Sequence, residues 1–358
     1  MPKVKLWLSF IFIVLFLASV SFSQESRVDT RIWSISYWQK MVQAGLIEAP
    51  ENVPVAPAQF TGSTIKARSV LINDSPDVPV TTDPNTTQSE NSIFVNPLDN
   101  NKVLNSNNST PYPVSTVYGT SGFMTADGGL TWTGQVQGTG GPNSGDPATA
   151  IDLNGTYFVG YIADNSGQGV ARSYDEGQTW THAQVAPNPG SLADKNHMWV
   201  DNSPASPHAG NVYSSWTDFG GPHDSEIVFS RSTDGGITWS PRIEISTAVN
   251  AGSHNQGVNI TTGPNGEVYV FWAIYDSWPS DESAIGMAVS TDGGATFAPA
   301  VRIINNIRGI RNSETSKNMR VASFPSAAAD ISGGPRDGWL YVVWANIGVP
   351  GINSGSDM

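Results

Sequence analysis

Short apolar, aromatic-rich runs recur along the chain between glycine-marked turns. Gly155-Thr-Tyr-Phe-Val-Gly-Tyr161, Gly210-Asn-Val-Tyr-Ser-Ser-Trp216, Gly266-Glu-Val-Tyr-Val-Phe-Trp272 and Gly338-Trp-Leu-Tyr-Val-Val-Trp344 share one length and one rhythm. Runs this short, rich in β-branched and aromatic residues and closed by turn formers, predict buried strands. A further apolar strand precedes each run, as in Met198-Trp-Val200 and Val258-Asn-Ile260. Another follows, as in Glu226-Ile-Val-Phe-Ser230, and a fourth ends the unit, as in Arg242-Ile-Glu-Ile245. The pattern predicts an all-β fold of repeated four-stranded sheets.

Between the third and fourth strands one octet returns four times. It reads Thr125-Ala-Asp127-Gly-Gly129-Leu-Thr131-Trp132, Ser173-Tyr-Asp175-Glu-Gly177-Gln-Thr179-Trp180, Ser232-Thr-Asp234-Gly-Gly236-Ile-Thr238-Trp239 and Ser290-Thr-Asp292-Gly-Gly294-Ala-Thr296-Phe297. The Asp-to-Asp steps are 48, 59 and 58 residues, a period that signals stacked copies of one unit. Asp accepts local backbone N–H groups and Gly adopts positive φ, so the octet predicts a tight turn anchored by its aromatic residue. This motif resembles the Asp-box (BNR) repeat of the sialidase-like β-propellers. The resemblance implies a propeller of four-stranded blades, with about five represented in residues 88–358. Counting from Trp344, the next box Asp is due at about 362 to 364, past Met358, so the last blade is expected to be incomplete. Either the sequence is part of a longer one, or residues 61–75 return to complete that blade.

The ends of the chain read differently. Lys3 and Lys5 precede an apolar stretch, Leu6 to Val20, and small residues flank a cut before Gln24. Residues 1–23 are expected to be a signal peptide, which implies an exported, extracellular or periplasmic protein with no membrane insertion after cleavage. Residues 24–87 lack the repeat and form a pre-propeller segment. In it Trp38, Met41, Val42 and Leu46 share a helical face behind Ser34, ending near Gly45. A Pro-rich linker and a strand-like run, Ser63 to Ile72, follow, and the first blade starts near Ser92-Ile-Phe-Val95. The formal charge of −13 argues against nucleic-acid partners. The absence of cysteine excludes disulfides and thiolate metal sites, and an exported chain without them fits a bacterial source. No cofactor motif is present, and the histidines lack metal-ligand spacing.

In a propeller blade, the loop entering the first strand and the loop between the second and third open on one face, while the box turn opens on the other. Asp127, Asp175, Asp234 and Asp292 are therefore expected to be structural. The candidate ligand face collects Asp146, Asp194, Lys195, His197, His223, Asp224, His254, Trp278, Arg308, Arg311 and Arg320. Trp278, in a loop, is the best candidate for an exposed stacking anchor; its rival role is packing beneath its own loop.

The resemblance implies an extracellular carbohydrate or glycoprotein as partner. For a sialidase it further implies three arginines on a carboxylate, a tyrosine nucleophile with a glutamate, and an aspartate as acid/base. The family's Arg-Ile-Pro motif is absent: Arg31-Ile-Trp33 lies outside the repeats, and Arg242-Ile-Glu244 and Arg302-Ile-Ile304 follow boxes. No catalytic role transfers to a residue of this chain. The sequence thus favours glycan recognition, with an exo-acting glycoside hydrolase such as a sialidase as the alternative. Clustered arginines beside a Tyr–Glu pair at the channel mouth would favour the enzyme.

Overall fold

The computed structural model describes residues 28–32, 35–49, 64–67, 70–73, 78–83, 86–111, 119–136, 143–249, 254–311, 321–347 and 356–357. Residues 1–23, expected to be a signal peptide, Ser34, expected ahead of the helix, and Arg320 lie outside them. No helix among the described residues is long and apolar enough to cross a membrane.

The regular secondary structure of the described residues is almost entirely antiparallel sheet. The first sheet runs through Thr86–Val95, Val103–Pro111, Gly122–Thr125 and Thr133–Gln135, with Gly119–Thr120 pairing to its second strand. The second comprises Ala148–Ile151, Tyr157–Ile162, Gln168–Ser173 and Thr181–Ala186, and the third Leu192–Val200, Val212–Phe219, Glu226–Ser232 and Ile243–Glu244. The fourth comprises His254–Thr262, Val268–Tyr275, Ala284–Ser290 and Val301–Asn305. First strands of successive sheets touch one another, so they line a common axis, as in propeller blades. Cores lie between neighbouring sheets. Tyr213, Phe229, Val270 and Trp272 fill one, and Phe158, Val170, Val200 and Trp216 another. Among the described residues the arc of sheets does not close into a ring.

The Ser or Thr, the Asp, the Gly two residues after it and the Thr of the octet are bonded alike in all four turns. The Ser or Thr hydroxyl donates to the Asp at 2.7 Å in all four turns and accepts the amide of the second Gly at 2.8–3.0 Å. The box Thr donates its amide to Asp Oδ1 at 2.8–2.9 Å and its hydroxyl to Oδ2 at 2.6 Å. These bonds, the Thr hydroxyl's foremost, hold Asp127, Asp175 and Asp234 at a pKa of about 2. Gly294 has φ +76, and a Cβ there would meet Phe229 of the preceding sheet at 2.7 Å. The box turn therefore also staples one sheet to the next.

Three expectations need correction. The first strand of the first sheet begins at Thr86, not near Ser92. The run through Ile72 is two strands, Thr64–Ala67 paired antiparallel with Val70–Asn73, and not one. The last apolar run forms a strand, Leu340–Val343, paired with Ser326–Ala329, but it is not buried: Trp339, Tyr341 and Val343 are 57, 45 and 53 % exposed. No further described sheet covers its outer side. Ser356–Asp357 pairs with Asn346–Ile347. The expected helix is present as Ile35–Gln43, and Gly45 at φ +70 ends it.

Candidate axial site

The first strands share one irregularity. Two residues are bulged out between Ser89 and Ser92, between Asp194 and His197, and between Gln256 and Asn259. The leading bulge residue is left-handed each time: Glu90 at φ 54, Lys195 at φ 52 and Gly257 at φ 76. Asp146, two residues ahead of the second sheet's first strand, is left-handed too at φ 55. Left-handed non-glycine residues cost on the order of 1 kcal/mol or more each, and such strain concentrates at functional sites.

The bulges bring charge together at the axis. Lys195 Nζ lies 2.8 Å from Glu90 Oε1 and 3.7 Å from Asp146 Oδ2. Asn108 Nδ2 donates to Glu90 Oε2 at 3.0 Å and to Asp146 Oδ1 at 3.3 Å. Burial, followed by the charge of Asp146, pushes Glu90 well above the ordinary carboxylate range. Burial also opposes ionisation of Asp146, but the Lys195 ammonium and the hydrogen bonds from Glu90 and Asn108 hold it low. The two carboxyls are thus driven in opposite directions, Glu90 towards its protonated form and Asp146 towards its carboxylate. The cluster still meets solvent, since the Lys195 and Glu90 side chains are 18 and 25 % exposed.

From this cluster polar contacts run outward. Gln256 Nε2 donates to Asp194 Oδ2 at 3.1 Å, and its Oε1 faces His254 Nε2 at 3.1 Å. That pairing makes Nε2 the protonated nitrogen of a neutral imidazole. Burial lowers His254 to about 4. His254 packs among Phe219, Tyr275 and Trp278, with centroids 4.7–5.8 Å apart. Arg311 lies 3.7 Å over the Trp278 ring. Trp278 is therefore half-buried beneath Arg311 rather than an exposed anchor, because the loop after the fourth sheet folds over it.

A Tyr–Glu pair is present: Tyr275 donates to Glu282 at 2.8 Å. Its surroundings make it a strut. Tyr275 is wholly buried, and burial, then Glu282, push its phenol well above its ordinary value. Glu282 also accepts the amides of Ile310, Arg311 and Ser323, which fasten the overlying loop. Arg31, from the N-terminal segment, joins Arg311 at the mouth but is paired with Asp29 at 2.6 Å and Asp224 at 2.9 Å.

The structure gathers Asp146, Asp194, Lys195, His254, Trp278 and Arg311 into this axial region, with Asp224 at its rim. His197 is elsewhere. It sits between sheets, accepts the Ile260 amide at 3.2 Å, and stacks on Trp199. His223 bonds Glu244 at 2.6 Å, and Arg308 is exposed, its amide held by Asn346. Sequence reasoning missed Glu90 and the arrival of Arg31. Glu90 could have been found by aligning Glu90-Asn-Ser92 with Lys195-Asn-His197, since both pairs lie just ahead of a first-strand apolar run. Among the described residues no group of three His, Asp or Glu is arranged to hold a metal ion.

A family model described as BNR/Asp-box repeat matches residues 230–241, the third box. Over 100 residues the chain is 35% identical to xyloglucanase Xgh74A of Acetivibrio thermocellus, covering 25% of this chain and 12% of that protein. The chain thus spans about an eighth of the length of that curated relative. Similar solved structures include a protein of unknown function from Dyadobacter fermentans, with TM-score 0.48, 16% identity, and 76% of this chain and 94% of that one covered. A NanB sialidase from Streptococcus pneumoniae aligns with TM-score 0.47 and 11% identity over 78% of this chain and 60% of that one.

Proposed function

We propose that this Asp-box (BNR) repeat protein is an exported glycan-recognition protein whose ligand site is the axial region. The observation that carries this reading is the convergence of three left-handed residues in or just ahead of first strands, Glu90, Asp146 and Lys195, into a partly solvated cluster of carboxyl, carboxylate, ammonium and amide groups. Such a mixed set hydrogen-bonds neutral sugar hydroxyls as both donor and acceptor. Beside it Trp278 keeps part of its ring open under Arg311 and rests on the buried His254. A sialic acid carboxylate is a poor match, because Arg31 is already paired with two aspartates and three acids crowd the axis.

One observation favours hydrolysis as a second reading. Burial and the neighbouring Asp146 raise Glu90 well above the ordinary carboxylate range, the direction a general acid for glycosidic cleavage needs. Its contact with Asp146 argues against the pair acting together, since glycosidase carboxyls stand about 5 Å or more apart. The xyloglucanase relative makes a xyloglucan oligosaccharide the first probe. Calorimetry with a xyloglucan heptasaccharide and with sialyllactose, followed by product analysis, separates the readings. Binding of the neutral sugar without cleavage, weakened at least ~10-fold by Lys195→Met, is the expected result. Cleavage abolished by Glu90→Gln establishes the hydrolase. Preference for sialyllactose overturns the neutral-glycan reading.

A further inference from the structure

The axial mouth already holds a peptide, and that peptide is part of the same chain. Residues Asp29 to Ile32 lie in no sheet, yet they reach the region where the third and fourth sheets open. Ile32 is completely buried, and its neighbours are Ile162 of the second sheet and Leu192 and Phe219 of the third. The Arg31 guanidinium donates to Asp224 and to Ser225 Oγ at 2.6 Å, and lies 5.2 Å over the Phe219 ring. The Arg31 carbonyl accepts from Gln256 Nε2 at 3.0 Å, the same nitrogen that donates to Asp194. Side chain, backbone and apolar residue are therefore each received by a matching group, as a bound peptide would be.

The seat is built to be left. The segment pairs with no strand, and its clamp is the nine-residue helix Ile35–Gln43, which holds it through Tyr37 Oη to the Asp29 amide and the Trp38 indole to the Ile32 carbonyl. A helix that short is marginal without docking. The Arg31–Asp224 pair is partly exposed, with the aspartate side chain 43 % open, and pairs of that kind hold weakly. Gln256 couples the segment to the axial cluster, because one amide group serves both.

We infer that the axial mouth is a peptide cleft occupied by the chain's own Asp29–Ile32 segment, and that a ligand spanning this mouth and the partly solvated axial carboxyls displaces the segment. The occupancy half stands on the contacts alone; the ligand half rests on the glycan reading above. A mouth that is open only part of the time binds more weakly by that fraction.

The chain has no cysteine, so a single introduced thiol reports on its own site. In the full-length exported chain, Ile32→Cys should react with a maleimide at least ~100-fold more slowly than Lys40→Cys on the exposed side of the helix. Adding Asp224→Ala to Ile32→Cys should speed its labelling about 10-fold. Equal rates for the two thiols would overturn the occupancy claim. Xyloglucan heptasaccharide should accelerate labelling of Ile32→Cys, and Ile32→Asp should bind the sugar about 10-fold more tightly than the unsubstituted chain. Sugar binding that leaves the labelling rate unchanged makes the segment a fixed wall and overturns the displacement claim. Binding by neither chain removes the glycan reading and the ligand half with it, while the thiol rates still judge occupancy.

Discussion

The two rims of the molecule repeat different things. At the box rim the same side chains return four times: Asp127, Asp175, Asp234 and Asp292 each accept from a Thr hydroxyl at 2.6 Å. At the axis the same backbone conformation returns four times, but its residues are Glu90, Asp146, Lys195 and Gly257. Where a repeat keeps its side chains, the sheet needs them to close a turn and staple a neighbour. Where it keeps only the φ value, the fold needs a bend and leaves the chemistry free. The axial residues also accept strain and burial that the exposed box acids avoid.

Acid separates the two rims most strongly. Burial lowers His254 and His197 to about 4, so both are neutral in the fold, while the unfolded chain protonates near 6.5. Stability present above pH 6.5 is therefore lost as pH falls towards 4, by up to about 3 kcal/mol for each imidazole. The box acids held near 2 contribute stability above 3.8 and lose it only between 3.8 and 2. Urea midpoints measured from pH 8 to pH 3 should show two separate declines. His254→Asn should roughly halve the upper one, His197 supplying the rest, and leave the lower untouched; a single decline below pH 4 would break the comparison.

Lys195→Met tests the axis directly. It removes the cation from among Glu90, Asp146 and Asp194, and stranding a buried acid costs about 3–5 kcal/mol. The loss should shrink at pH 5 as Asp146 takes up a proton, and adding Asp146→Asn should restore most of it. Gly294→Ala tests the box. A side chain at φ +76 that meets Phe229 at 2.7 Å should lower the stability by about 2 kcal/mol, with no change in sugar binding. Lost binding at unchanged stability would show that the rims are coupled.

The box rim was legible because its chemistry is local. Each bond of the turn joins residues two to four apart, so one octet contains both donor and acceptor. The strands were legible by their apolar rhythm. The axis was less so. A bulge is a backbone event with no periodicity of its own, and Glu90 meets Lys195 only after two sheets have formed. Arg31 finds Asp224 across 193 residues, and Trp278 is covered by Arg311 from a loop beyond its own sheet. The outward faces of Trp339, Tyr341 and Val343 repeat the buried pattern in sequence yet are exposed, because burial depends on a neighbouring sheet that a strand cannot specify for itself.

The smallest expected effect is the most discriminating. Burial and Asp146 raise Glu90 well above its ordinary value in the fold. The folded chain then binds a proton that the unfolded chain releases above about pH 4.5, so this residue makes stability fall as pH rises from there. Glutamine has the same shape and keeps a donor in place of the carboxyl hydroxyl. Glu90→Gln should therefore change stability by less than about 0.5 kcal/mol near pH 5 and become stabilising as the pH is raised. Chemical denaturation at pH 5 and pH 9 measures both values. A large loss at both would mean that Glu90 is ionised and that Lys195 balances it alone. The proton would then be absent from the axis, and the hydrolytic reading would lose its acid.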